Sequence, residues 1–126
     1  MSGKRYFLDT NAIIALLNGN EKLNILLNEA DYVACSIISV LEFLSFSDIQ
    51  DQDKKIFETF LERIEVVSLS FSDPKLIEMI ADIRKLKKLK LPDAIIVASA
   101  KYKKSLLLTS DAILLKMKDS DSKNYS

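Results

Sequence analysis

The sequence predicts an α/β fold built on a mainly parallel sheet with crossover helices, and three observations predict it. Short β-prone runs alternate along the chain with longer segments of helical periodicity. Only two Gly and two Pro punctuate 126 residues of which 48% are apolar, a composition that suits a helix-rich globule. No internal repeat or compositional break divides the chain, so a single core is expected, able to bury roughly two thirds of the surface the unfolded chain exposes.

Taken in order, Tyr6-Phe-Leu8 reads as the first strand. Asp9-Thr-Asn11 then caps a short helix through Leu17, which Asn18-Gly19-Asn20 ends. A second helix is expected over residues 21–27 and a strand over residues 32–35. Ser39 is expected to open a helix reaching about Phe46, before a polar loop over residues 47–52. Residues 53–63 then place Ile56, Phe57, Phe60, Leu61 and Ile64 on one helical stripe, with Val66-Val67 and Leu69 following as a strand. Ser72-Asp73-Pro74 starts the next helix, along which Leu76, Ile80, Ile83 and Leu86 recur. Pro92 starts another, apolar around most of its circumference and therefore expected in the interior against the sheet. Residues 106–109 read as the last strand and residues 111–117 as the last helix. The domain is expected to span residues 1–118. Residues 119–126, Asp-Ser-Asp-Ser-Lys-Asn-Tyr-Ser, are expected to be a disordered C-terminal tail.

Composition narrows the chemistry. Eighteen basic residues balance eighteen acidic ones, so attraction to a polyanion must be local. There is no His, which removes Ser-His and Cys-His nucleophile systems and every His-based metal site. The single Cys35 cannot form an internal disulfide, and its apolar surroundings read as those of a buried thiol. No apolar run approaches the roughly 20 residues of a membrane-spanning helix, and the N-terminus lacks the pattern of a signal peptide. A cytoplasmic protein is expected.

Four acids fall where chemistry is possible: Asp9, Asp93 and Asp111 at or near helix starts, two of them directly after strands, and Glu42 in a first helical turn. In an open parallel sheet the ligand site lies beyond the carboxyl ends of the strands, where the strand order reverses. Each acid alone can be explained as a helix cap or a first-turn charge, and Ser39-Val-Leu-Glu42 even matches a capping box. Jointly they suggest more, because Thr10-Asn11 and Thr109-Ser110 add small polar groups beside Asp9 and Asp111. Converging carboxylates need a cation: at about 4 Å and an effective dielectric of about 20 each pair repels by roughly 4 kcal/mol. Mg2+ or Mn2+, one or two ions, matches an all-oxygen donor set.

These residues resemble the PIN-domain family. Tyr6-Phe-Leu-Asp9-Thr-Asn11 is similar to its opening motif, Ser36-Ile-Ile-Ser39-Val-Leu-Glu42 to its second, Lys90-Leu-Pro-Asp93 to its third and Leu107-Leu-Thr109-Ser-Asp111 to its last. The chain departs from many relatives after the last motif, where a further acid and a Phe are replaced by Ile113-Leu114-Leu115. The resemblance implies a three-layer α/β/α sandwich and metal-dependent hydrolysis of RNA phosphodiester bonds, commonly by the toxin of a toxin-antitoxin pair. It implies Asp9, Glu42, Asp93 and Asp111 as catalytic metal ligands, supported by Thr10, Asn11, Ser36 and Thr109. It further implies an antitoxin partner and a homodimer.

Single-stranded or structured RNA also needs cations to hold it. Arg84-Lys85-Leu-Lys87-Lys88-Leu-Lys90 carries five charges in seven positions and leads into Asp93; Lys101, Lys103 and Lys104 form a second cluster. Either cluster also fits a solvated helix end, where cations favour the dipole. Two other readings stand beside the nuclease. A phosphatase with an aspartyl nucleophile would start from the same Leu-Asp9-Thr, but such enzymes usually carry a second Asp where this chain has Asn11. A domain that binds RNA or a partner without cleaving is the other.

Overall fold

The computed structural model describes residues 3–115 and 122–125. Its elements run β1 (Arg5–Leu8), α1 (Thr10–Leu17), α2 (Glu21–Asn28), β2 (Tyr32–Ser36), α3 (Ile37–Leu44), α4 (Asp51–Leu61), β3 (Glu65–Val67), α5 (Pro74–Lys87), α6 (Leu91–Tyr102), β4 (Leu106–Leu108), α7 (Ala112–Leu115) and β5 (Ser122–Lys123). The strands form one sheet in the order β3-β2-β1-β4-β5, and every pairing is parallel.

Side chains alternate across a strand, so a sheet buried on both faces has two cores. Phe7, Ala34, Val67 and Leu107 point to the face covered by α5 and α6, where they pack with Leu76, Ile80 and the buried run from Ala94 to Ala98. Tyr6, Leu8, Cys35 and Leu108 point the other way, against Ile13 of α1, Leu23 of α2, Phe43 of α3 and Phe57 of α4. The result is the three-layer α/β/α sandwich. α6 lies in the interior as its sequence demands, with Ala94 to Ala100 all buried. Cys35 is buried and unpaired, and burial pushes its thiol up to about 12. Among the described residues, no helix is long and apolar enough to cross a membrane.

Three expectations are corrected. α3 begins at Ile37, directly from the strand, with the Ser36 hydroxyl accepting from the Ile38 amide at 3.1 Å. Ser39 therefore lies inside the helix, and Ser39-Val-Leu-Glu42 is no capping box. Leu86 is 78% exposed, because at about 100° per residue it falls about 80° from Leu76 while Lys87 returns to the stripe. The C-terminal segment expected to be a disordered tail instead extends the sheet at Ser122 and Lys123 and buries Tyr125. The Lys123 carbonyl accepts from the Thr109 amide at 3.0 Å. Residues 119–121 and 126 lie outside the described residues.

Candidate functional site

The strand order reverses between β1 and β4, whose connections leave in opposite directions. Asp9 follows the last residue of β1, and Thr109 follows the last of β4. Asp9 is the N-cap of α1: its Oδ1 accepts from the Ala12 amide at 2.7 Å, and the side chain is buried. It also accepts from the Thr109 hydroxyl. Thr109, fully buried, in turn accepts from the Asp111 amide at 2.9 Å, so one threonine joins the two acids that leave the central strands.

Burial raises the Asp9 carboxyl above its ordinary value; the bonds from Thr109 and Ala12 oppose this, and the charges of Asp111 and Asp93 add to it. Asp93, in the first turn of α6, is also raised, first by burial and then by Asp111 and Glu42, with Lys90 pulling the other way. Asp9, Asp93 and Asp111 thus lie within one another's fields and Glu42 within that of Asp93, although the four come from separate stretches of chain. Asp111 is the larger like-charge neighbour of both Asp9 and Asp93. Its side chain also accepts from the Leu114 amide at 3.4 Å, at the start of α7.

Glu42 is held from α1. Thr10 Oγ1 lies 2.5 Å from Glu42 Oε1 and 3.0 Å from Ser39 Oγ, and its single proton goes to the carboxylate, the stronger acceptor. Ser39, fully buried one turn before Glu42, reads in the sequence as a helix cap and part of the second motif but not as a site residue. The i, i+3 spacing that resembled a cap is the signal that puts its hydroxyl on the same helix face as Glu42. Ser36 caps α3 rather than reaching an acid. Asn11 is exposed on α1 and makes no hydrogen bond to any of the four acids among the described residues.

The donor set is carboxylate and hydroxyl oxygen throughout, the chemistry that suits a hard divalent cation. Among the described residues no three acidic or thiol side chains stand close enough to form a ready-made ion cage. The fit therefore rests on donor type and on the burial, with like charge added, that lifts Asp9 and Asp93.

The basic segment is divided by the turn between α5 and α6. Lys88 ends α5 in the left-handed conformation at φ 54°, and Lys90 is the N-cap of α6, where its charge acts on Asp93. Arg84 and Lys85 instead border a separate apolar cavity with Ile77, Leu91 and Ile95. Of these cations, Lys90 bears directly on the acids, through Asp93.

A parallel sheet whose carboxyl edge gathers four acids at its strand-order reversal, between two helical layers, defines an α/β domain with an acidic centre. Residues 6–119 match the family model of the PIN domain, and the chain belongs to that family. Solved structures share the fold. A toxin-antitoxin complex from Klebsiella pneumoniae is 23% identical with a TM-score of 0.79, covering 96% of this chain and 98% of that one. VapBC2 from Rickettsia felis, bound to a promoter DNA fragment, is 19% identical with a TM-score of 0.80 over 97% and 99%. DNA-bound VapBC from Salmonella typhimurium is 18% identical with a TM-score of 0.74 over 98% and 99%. No curated protein matches the sequence.

Proposed function

We propose that this PIN domain is a divalent-metal-dependent endoribonuclease and the toxin of a toxin-antitoxin pair. The observation that carries the reading is the coupling of Asp9, Glu42, Asp93 and Asp111 at one edge of the sheet, where burial and like charge hold two of them above their ordinary ionisation. Four such groups, with no acidic or basic catalyst of the His type in the chain, are suited to hold Mg2+ or Mn2+. A bound cation of this kind polarises a phosphoryl oxygen and makes hydroxide available at neutral pH.

The chain's own groups prepare that site. Thr109 donates to Asp9 and Thr10 to Glu42, which fixes the orientation of each carboxylate. The Ala12 amide fixes Asp9 at the positive end of α1. Lys90 offers a cation beside Asp93, where an incoming phosphodiester would meet otherwise repulsive acids.

A protein partner is supported by a different face. Ile14, Leu17, Phe43, Phe46, Ile49 and Ile56 line a cavity of about 410 Å³ between α1, α3 and α4. Phe46 and Ile56 are each nearly half exposed there, so the cavity offers apolar surface to a second protein. The relatives named above were solved as toxin-antitoxin complexes or with DNA, which agrees with an antitoxin on this protein. Homodimerisation belongs to the same reading, and the exposed Phe71, Leu86 and Leu91 on the opposite layer suit it.

Cleavage of single-stranded RNA in the presence of Mn2+ tests the activity. Asp9→Asn and Asp93→Asn should each lower the rate at least about 100-fold while remaining folded. Undiminished cleavage by either variant would remove that acid from the site. Hydrolysis of a small phosphomonoester in place of RNA would instead favour a phosphatase.

A further inference from the structure

At the other end of the sheet, where β1 and β4 begin, lies a cavity of about 610 Å³. Lys4, Arg5, Lys101, Lys104 and Lys123 line it, Lys123 reaching it from beside Leu108 at the far end of β4, and among the described residues no acid does, although the chain as a whole has no net charge. Lys4 pairs with Glu29 at 3.3 Å, Asp31 stands beside Gly3 at the same end, and Arg5 lies in the field of Glu65. Lys101, Lys104 and Lys123 have no ion pair among the described residues. The structure divides the second basic cluster of the sequence: Lys103 turns away to Glu65 at 3.3 Å, while Arg5 and Lys123 join Lys101 and Lys104 from strands distant in sequence.

The rim is built rather than scattered. Arg5 donates from one terminal nitrogen to the Lys103 carbonyl at 2.7 Å and from Nε to the Lys104 carbonyl at 3.3 Å, while its guanidinium stacks 3.9 Å over the Tyr32 ring. These bonds pin the turn between α6 and β4. Within that turn Lys104 adopts φ 51°, a left-handed conformation that Gly or Asn takes at less cost. A lysine is thus held at a backbone position that disfavours it, with its side chain against a cavity of four other cations. Leu26 and Leu106 give the cavity an apolar floor, which weakens the competition of bulk solvent for a bound anion.

The geometry points to an anion-binding site at this amino edge that takes clustered phosphoryl groups, distinct from the acidic centre about 13 Å away along β1. The phosphoryl groups can come from a free polyphosphate or from consecutive phosphodiesters of RNA. Planar carboxylates of a protein partner are a weaker match, because Arg5, the side chain with the bidentate fork for them, spends it on carbonyls.

Binding is measured on the full chain in EDTA, so that the acidic centre contributes no metal-dependent affinity. Inorganic triphosphate is titrated by calorimetry, and a labelled single-stranded RNA oligonucleotide by anisotropy. Triphosphate should bind, and Lys101→Glu with Lys104→Glu should weaken it at least about tenfold, while Lys54→Glu with Lys55→Glu, exposed on α4, leaves it unchanged. Lys104→Gly should weaken it while raising the melting temperature, a pairing that damage to the fold cannot produce. If triphosphate displaces the RNA, the site is a stretch of RNA track; if both bind without competition, its ligand is a free polyphosphate. No triphosphate binding, or equal binding by wild type and the Lys101/Lys104 variant, overturns the site and leaves the metal-dependent cleavage untouched.

Discussion

Asp9 serves as a helix cap and as a buried charge among charges, and the two roles respond differently to substitution. Its carboxyl is raised above the ordinary 3.8, chiefly by burial, so the folded chain holds that proton more tightly than the unfolded one. The stability this contributes is fully present below the unfolded value and is lost as pH rises through the folded value. Asp9→Asn keeps an Oδ1 acceptor for the Ala12 amide, since Asn caps as well as Asp, but it cannot ionise. Melting followed across pH should show the variant more stable than wild type at pH 7, with the gap closing below pH 3.8. A variant less stable at pH 7 would mean that the charge is compensated. Thr10 acts on a different acid. Thr10→Val removes the hydroxyl on Glu42 and should lower Mn2+ affinity by about 10- to 100-fold, with Thr10→Ser restoring it. Equal affinity in Thr10→Val would make the hydroxyl a packing group only.

At the level of elements, the start of α3 and the C-terminal strand carry the sharpest expectations. Ser36→Ala removes the side-chain acceptor that caps the first turn of α3 and should cost about 1 kcal/mol in urea unfolding. Tyr125 is buried, and its hydroxyl lies 3.3 Å from Ser110 Oγ. Tyr125→Ala should therefore cost about 2 kcal/mol, whereas a solvated tail would lose nothing. The same two places mark where sequence became hard to read. Strong periodicity made β1, β2, α5 and α6 legible, because two-residue and near-four-residue repeats reflect which face is buried. The entry to α3 was not, because Ser36 and Ser39 are both good caps and only the point where the strand ends chooses between them. Ser122 and Lys123 carry no β-prone pattern; they pair because β4 would otherwise expose its edge, which is a property of the sheet and not of the segment. The four acids were visible individually, but their mutual fields arise from strand order, and Thr109 as the link between Asp9 and Asp111 follows from the parallel alignment of β1 with β4.

For the whole molecule, a net charge of zero conceals local clusters of each sign. Asp9 and Asp111 lie at the carboxyl edge with Asp93 and Glu42 near them, while Lys4, Arg5, Lys101 and Lys104 line a cavity at the amino edge that also has Glu29, Asp31 and Glu65 nearby, and Lys123 reaches that cavity from beside Leu108. Lys90, beside Asp93, is a cation that a polyanion approaching the acids would meet. Lys90→Ala should lower the slope of log affinity for RNA against log salt by about one, and an unchanged slope would place the phosphate elsewhere. The reading as a nuclease depends in the end on whether the four carboxylates bind a divalent ion together. Calorimetric titration of Mn2+ into wild type, Asp9→Asn and Asp93→Asn tests this most directly. Saturable binding by wild type, weakened at least about tenfold in both variants, is the predicted result; no binding by wild type, or equal binding by all three, would contradict the metal site.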